Sequence, residues 1–233
     1  ELVLADRKTV EKSLEKNQKI RNDKKPEGKI AECARTVLLA HLNEGLAARS
    51  FKRDSKQDDV IKNLFLLTDK PMIYVANVDD HSIDTDQISK AKQIATNNLS
   101  SFVTINGKLE SEMADFDEEE KIIILEDYNL KETGLSTLIK EAYNTLGLQT
   151  FFTCGEMEVR GWTINKGECA VDAAAEIHTD FATKFIKAEI YTFDDAIKHQ
   201  DNIKELKTLG LVKNVGRDYI MKEGDVAYFI NGQ

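Results

Sequence analysis

The sequence predicts a mixed architecture, an α/β segment followed by an α+β segment, with a helical hairpin ahead of both. Three observations carry this. The first 53 residues place apolar side chains at helical spacing on both sides of a Pro/Gly break; residues 54–147 alternate unbroken apolar runs with helical patterns; and from about residue 148 the pattern turns to β-type alternation around one Ala-rich helix. The expected segments are therefore 1–53, 54–147 and 148–233.

In the first segment, Leu2, Ala5, Val10 and Leu14 form one loose apolar stripe, and Ile30, Ala34, Val37, Leu38 and Leu42 a tighter one. Between them, Lys24-Lys25-Pro26-Glu27-Gly28 is expected to break the helix, because Pro lacks an N–H and Gly is conformationally loose. Two antiparallel helices joined along one stripe make a hairpin, a short coiled-coil arm. Its second helix should stop at Asn43-Glu44-Gly45, where glycine suits a C-terminal cap.

The second segment opens its sheet with Met72-Ile73-Tyr74-Val75-Ala76, an apolar run that ends at Asn77. Continuous runs of this kind suit a parallel strand covered on both faces. Residues 88–99 read as a helix, 102–105 as a second strand, 115–127 as an acidic helical stretch and 135–146 as an amphipathic helix. In the third segment, 150–153 and 159–164 flank Cys154-Gly155-Glu156 as a hairpin. Residues 170–177 form the helix, and 187–193, 219–221 and 225–230 supply further strands. Several strands gripping one helix fit a β-grasp fold.

Composition excludes some functions. The formal net charge is −9, so the molecule as a whole does not attract nucleic acid, and no DNA specificity is expected. The charge is unevenly spread. Residues 1–53 carry 13 Lys/Arg against 8 Asp/Glu, whereas 54–147 carry 9 against 19 and 148–233 carry 10 against 14. The basic excess thus sits in the hairpin, where Lys16, Lys19, Arg21, Lys24 and Lys25 gather near the tip. Such a run is either a solvated helical face or a phosphate-contacting arm. The 3 cysteines and 4 histidines show no metal-ligand spacing, so no metal site is expected, and three scattered thiols fit a reducing, cytoplasmic compartment. No apolar run approaches the ~20 residues of a membrane span. A monomer is expected, since no heptad pattern extends far. The chain begins with Glu1 rather than Met and is read as part of a longer protein.

Asn165-Lys166-Gly167, Ala173-Ala174 and Ile177-His178-Thr179-Asp180-Phe181, following the strand at 159–164, together resemble the TGS domain. This ubiquitin-like module occurs in some tRNA synthetases, stringent-response enzymes and translation-linked nucleotide hydrolases. The resemblance extends further. Asn77-Val78-Asp79-Asp80, Thr133-Gly134-Leu135, Leu148-Gln149-Thr150-Phe151-Phe152-Thr153 and Glu158-Val159-Arg160-Gly161-Trp162-Thr163 are similar to the YchF or Obg-like ATPase family. So are Gly216-Arg217-Asp218-Tyr219, Glu223-Gly224-Asp225-Val226 and the opening Glu1-Leu2-Val3-Leu4-Ala5-Asp6, so the similarity covers essentially the whole chain. It implies a helical arm, the C-terminal half of a P-loop nucleotide domain and a β-grasp TGS domain.

The resemblance also implies ATP, or GTP, with Mg²⁺ in full-length relatives, and the ribosome or RNA as partner. The phosphate machinery is not in this sequence. None of the 12 glycines stands in a G-x-x-x-x-G-K-[ST] loop, and none follows an Asp by three residues, so the chain alone is expected not to hydrolyse nucleotide. The base-reading end is present. By resemblance Asn77 braces the loop, Val78 contacts adenine through its backbone, and Asp80 stands at the acidic position where the family has Glu. Asn106 and Gly107 fall at the second base-side loop, although a plain strand-to-helix turn explains them equally well. Arg160, Lys166 and Lys184 are the candidate phosphate contacts of the last segment. Ala182-Thr183-Lys184-Phe185 replaces the family's Glu-Lys-Gly-Phe, while His178 is expected to cap the carbonyls at the end of its helix. The other reading is an RNA- or ribosome-binding TGS module that is not catalytic and needs no nucleotide.

Overall fold

A computed structural model describes residues 1–19, 26–79, 86–155 and 158–232, with only the backbone at 17–19, 26 and 27. The chain divides into two compact units, Glu1–Thr145 and Leu146–Gln233.

The first unit begins with α1 (Leu2–Lys19) and α2 (Pro26–Asn43). They meet through wholly buried Val10 of α1 and Leu38 and Leu42 of α2, and Ala48, Ile61 and Leu66 complete the cluster. Pro26 does not break this helix but opens it. At the first helical position the missing proline N–H is no loss, because that N–H has no partner within the helix; Gly28 then lies inside the first turn, and residues 20–25 fall outside the described ones. Gly45, at φ +80°, follows the end of α2 and adopts the left-handed conformation such a stop requires. After a 3₁₀ turn (Ala48–Ser50), α3 (Ser55–Lys62) starts on a reciprocal cap: Gln57 N–H donates to Asp54 Oδ1 (2.8 Å), and Asp54 N–H to Gln57 Oε1 (3.1 Å).

Asp6 is a buried charged residue of this unit, 2% exposed. Its carboxylate accepts from Leu67 N–H (2.8 Å), Thr68 N–H (2.7 Å) and Thr68 Oγ1–H (2.6 Å), while Ala48 N–H donates to the same Thr68 oxygen (3.0 Å). One turn of α1 is thereby latched to the segment that enters the sheet. Nearby, Arg53 holds Asp69 with both terminal nitrogens and Asp58 with Nε (2.7 Å).

The sheet of this unit has two parallel strands, β1 (Ile73–Asn77) and β2 (Ser101–Ile105), joined through α4 (Asp86–Asn97) and in register from Ile73–Ser101 to Asn77–Ile105. Then come α5 (Gly107–Met113), α6 (Glu118–Asp127) and α7 (Gly134–Leu146). The seven-residue α5 was not anticipated: it is too short to show a helical period, and it begins where the sequence reads as a turn. The acidic stretch before α6 works as a cap, Asp117 Oδ1 accepting from Glu119 and Glu120 N–H. Two strands leave apolar surface uncovered. Leu135, Ile139 and Tyr143 form an exposed stripe along α7, and Val75 of β1 and Ile122 and Ile123 of α6 are exposed as well.

The second unit comprises β3 (Leu148–Cys154), β4 (Val159–Asn165), α8 (Ala170–Ile177), α9 (Thr179–Thr183), β5 (Phe185–Thr192), α10 (Phe193–Lys198), α11 (Ile203–Thr208), β6 (Lys213–Val215) and β7 (Asp225–Asn231). The strand order is β4-β3-β7-β5-β6, with β3 and β7 parallel and the other pairs antiparallel. One face packs on α8, where Phe151, Ile164, Ile190 and Phe229 meet Ala170, Ala173 and Ala174. Three alanines on the inward side let the helix approach the sheet closely. On the opposite face Tyr191, Leu206 and Val226 form a smaller core beneath α10 and α11. The strand expected at 219–221 is instead a single bridge, Ile220 to Cys169, whose flanking bonds tie the segment to the start of α8 (Ala170 N–H to Tyr219 C=O, 2.8 Å).

Candidate functional site

In open α/β sheets ligands lie beyond the carboxyl ends of the parallel strands, where loops leave and helix N-termini arrive. In the first unit those ends are Asn77 and Ile105, and four of the expected base-side residues come together there. Gly107 N–H donates to Asn77 Oδ1 at 3.0 Å, so the asparagine side chain clasps the turn after β2 from the end of β1. Val78 N–H continues the ladder to Ile105 C=O (2.8 Å). A Cβ at position 107 would lie 3.1 Å from Asn77 Oδ1, a tight approach that any other residue would relieve by shifting the asparagine side chain. Asn106 caps α5, its Oδ1 accepting from Leu109 N–H (3.1 Å), which directs that side chain along its own helix.

Two members of this corner carried no role in the sequence reading. Glu110 accepts from Gly134 N–H (2.5 Å), and a Cβ at Gly134 would stand 3.0 Å from Ile105 Cγ2. The start of α7 is thus tied to the same turn. The only sequence trace of this is Thr133-Gly134 ahead of an apolar helix; the carboxylate partner lies 24 residues away. Asp80 lies outside the described residues.

The corner offers backbone groups and small residues at the strand ends, whereas among the described residues no group of three or more His, Cys, Asp or Glu could hold a metal ion. Gly107-Lys108 lacks the earlier Gly and the following Ser/Thr of a triphosphate-binding loop.

The basic candidates are dispersed. Lys16 is exposed on α1, Lys19 ends that helix, and Arg21, Lys24 and Lys25 lie outside the described residues. In the second unit Arg160 stacks its guanidinium 4.2 Å over the Trp162 ring, whose Nε1–H donates to Thr153 Oγ1 (2.9 Å). Lys166 is exposed just beyond the other end of β4; six residues of strand separate it from Arg160, roughly 20 Å. Lys184 is exposed at the end of α9. These cations do not converge on one phosphate along β4.

His178 does not cap the carbonyls of α8. Its backbone N–H closes that helix on Ala174 C=O (3.2 Å), and its ring Nδ1 accepts from Asp180 N–H (3.1 Å), starting α9. A backbone donor at that nitrogen makes the ring an acceptor there. The two thiols of this unit are not activated. Burial, with the neighbouring Asp201 hydrogen bond and charge, pushes Cys154 up to about 11; the hydrogen bond to Asp172, with burial, raises Cys169. Neither is a thiolate nucleophile near neutrality.

Residues 148–231 match the YchF-GTPase C-terminal family, described as a protein of unknown function (DUF933). The chain is 35% identical to the protein named ribosome-binding ATPase YchF of Bacillus subtilis (strain 168), covering 98% of this chain and 63% of the relative. It is also 35% identical to its namesake in Haemophilus influenzae, with the same two coverages. The structure of the Schizosaccharomyces pombe YchF GTPase superposes with a TM-score of 0.84 at 30% identity, over 98% of this chain and 63% of that one. The chain therefore spans a little under two thirds of the length of these relatives. By sequence and by fold, the chain matches the C-terminal part of YchF-family proteins, with the family's C-terminal domain at residues 148–231.

Proposed function

We propose that this chain supplies the base-reading corner and the ribosome-facing parts of a cytoplasmic YchF-type nucleotide hydrolase. The observation that carries the reading is the Asn77–Gly107 clasp at the carboxyl ends of β1 and β2. The clasp ties the loop after β1 to the turn after β2, and the backbone of Val78 beside it is the group that would read the base. Val78 has its N–H spent on Ile105, so what it offers a base is a carbonyl. A carbonyl accepts from adenine's exocyclic amine and repels guanine's keto oxygen. In this reading ATP is the preferred nucleotide, while triphosphate and Mg²⁺ are held by residues outside this chain.

In this reading α1 and α2 form the coiled-coil arm and the second unit a TGS-type β-grasp module, its single long helix α8 gripped by a five-stranded mixed sheet. The arm carries the basic excess and faces ribosomal RNA, where each neutralised phosphate adds a salt-dependent increment. The relatives named as ribosome-binding ATPases support the same partner.

Two measurements test the two halves. In saturation-transfer difference NMR, adenosine should show contact to the chain and guanosine much less, and Asn77→Ala should reduce the adenosine signal at least fivefold. Equal signals from both nucleosides, or an unaffected N77A, would remove the base-reading half. In co-sedimentation with ribosomes, Lys16, Lys19, Lys24 and Lys25 changed together to Glu should weaken binding roughly tenfold or more and flatten its salt dependence. Salt-sensitive binding that survives in this variant would rule out the arm as the RNA contact.

A further inference from the structure

The sheet face of the second unit opposite α8 carries a groove that neither the nucleotide reading nor the arm uses. Two cavities lie side by side on it. One, about 270 Å³, is walled by Phe152, Val159, Phe193, Ala196 and Ile197. The other, about 550 Å³, runs between the sheet and α11 past Tyr228, Glu189 and Lys207. Cys154 and Asp201 line both, so the hydrogen bond from Cys154 Sγ to Asp201 Oδ2 (2.7 Å) marks their shared boundary.

Asp201 sets the electrostatics. Its other oxygen accepts from Tyr191 OH (2.7 Å), so both hydrogen-bond partners are neutral, and among the described residues no Lys, Arg or His forms an ion pair with it. The nearest lining cation, Lys207, is already matched by Glu189 at 2.7 Å. The groove thus holds one uncompensated negative charge beside apolar walls. The backbone that presents this carboxylate turns sharply: Gln200 and Asp201 are consecutive non-glycine residues in the left-handed region, at φ +52° and +53°. They close the end of α10, where Asp201 N–H donates to Ala196 C=O (2.8 Å).

The groove also borders a strand edge. Among the described residues nothing pairs with the outer side of β4. Lys166 N–H donates to Gly147 C=O (2.7 Å) and Gly155 N–H to Glu158 C=O (3.0 Å), which fixes the alternation of the β3–β4 ladder. By that alternation, Arg160 and Trp162 bond inward to β3, while Val159 and Gly161 turn their backbone groups outward.

We propose that this groove docks an extended peptide segment of a partner protein, which adds to the β4 edge at Val159 and Gly161, seats an apolar side chain against Phe152 and Phe193, and places a Lys or Arg at Asp201. Strand addition of this kind takes affinity from main-chain bonds and specificity from pockets for alternate side chains. An RNA phosphate fits poorly beside an unpaired carboxylate. Arg160, the one cation on this edge strand, follows the alternation onto the α8 face with Trp162. The proposal is independent of nucleotide and ribosome binding, and its test contains neither.

The whole chain is immobilised and a phage-displayed library of random twelve-residue peptides is selected on it. Enriched sequences should carry Lys or Arg two positions from Leu, Ile, Val or Phe, since alternate residues of a strand share one face about 7 Å apart. A fluorescein-labelled selected peptide should bind in anisotropy. Asp201→Asn and Ile197→Glu should each weaken it at least tenfold, Lys184→Glu should leave it unchanged, and a twelve-nucleotide single-stranded RNA should not displace it. Ile197 is 65% exposed, so its substitution does not disturb the core, and an unshifted Trp162 fluorescence melt verifies the fold of both variants. Enrichment without that pattern, unchanged affinity in both variants, or displacement by the RNA would overturn the proposal.

Discussion

Asp6→Ala lowers the stability of the first unit by about 4 kcal/mol and leaves the second unit unchanged. The carboxylate is almost fully buried and accepts three hydrogen bonds, two from backbone N–H groups and one from Thr68 Oγ1. Alanine strands those donors away from water; each costs on the order of 1–3 kcal/mol, and hydrogen bonds to a charged group are the stronger class. Partial relaxation keeps the total below the sum. Asp6→Asn keeps the shape and one acceptor but turns an amide toward N–H groups, so roughly half the loss is expected. The chain makes the measurement clean. Its one tryptophan is Trp162, in the second unit, whereas the long helices α1, α2, α4 and α7 dominate circular dichroism from the first. In urea the dichroism midpoint of D6A should fall while the fluorescence midpoint stays. A dichroism midpoint equal to that of the parent chain would show that the latch carries no net stability.

Phe151→Ala acts on the other unit. Phe151 is wholly buried at the centre of the sheet, meets the Phe229 ring edge-on at 6.0 Å and lies under the alanine face of α8. Truncating a buried phenylalanine costs ~3–5 kcal/mol, the lost transfer energy plus a cavity that the surroundings close only in part. A unit of this length has roughly 4–13 kcal/mol in total. At ~4–8 °C per kcal/mol for domains of this size, the Trp162 melt should drop by roughly 20 °C. A shift under about 5 °C would mean that α8 settles onto the sheet and fills the space. The two substitutions are expected to be additive, since their residues belong to separate cores.

Long periodic elements could be read from the sequence, and so could loops that follow an unmistakable strand. The apolar run closing on Asn77 placed the end of β1, and the turn after β2 placed Gly107, so both halves of the clasp were nameable; that they touch was not. Contacts distant in sequence left no local trace. Asp6 sits in a helix of alternating charges and reads as surface, because its partners are 61 and 62 residues away. Glu110 likewise gives no sign of holding Gly134. Short elements failed for a different reason. The helices α5, α9, α10 and α11 run seven residues or fewer, under two turns, so no period could accumulate. Pro26 and Gly28 were read as a break because their residue types suggest one; position decides, and at the first turn of a helix proline fits. His178 was matched to the helix behind it when its ring serves the helix ahead.

The uncovered stripe of Leu135, Ile139 and Tyr143 on α7, together with exposed Val75 and Ile122, also bears on calorimetry. The heat-capacity increment of unfolding and the slope of stability against denaturant both scale with newly wetted surface. Side chains that are already wet in the native state contribute little to either. The first unit should therefore unfold with a smaller heat-capacity change per residue than the second, over a broader range of urea, and with a flatter dependence of its stability on temperature.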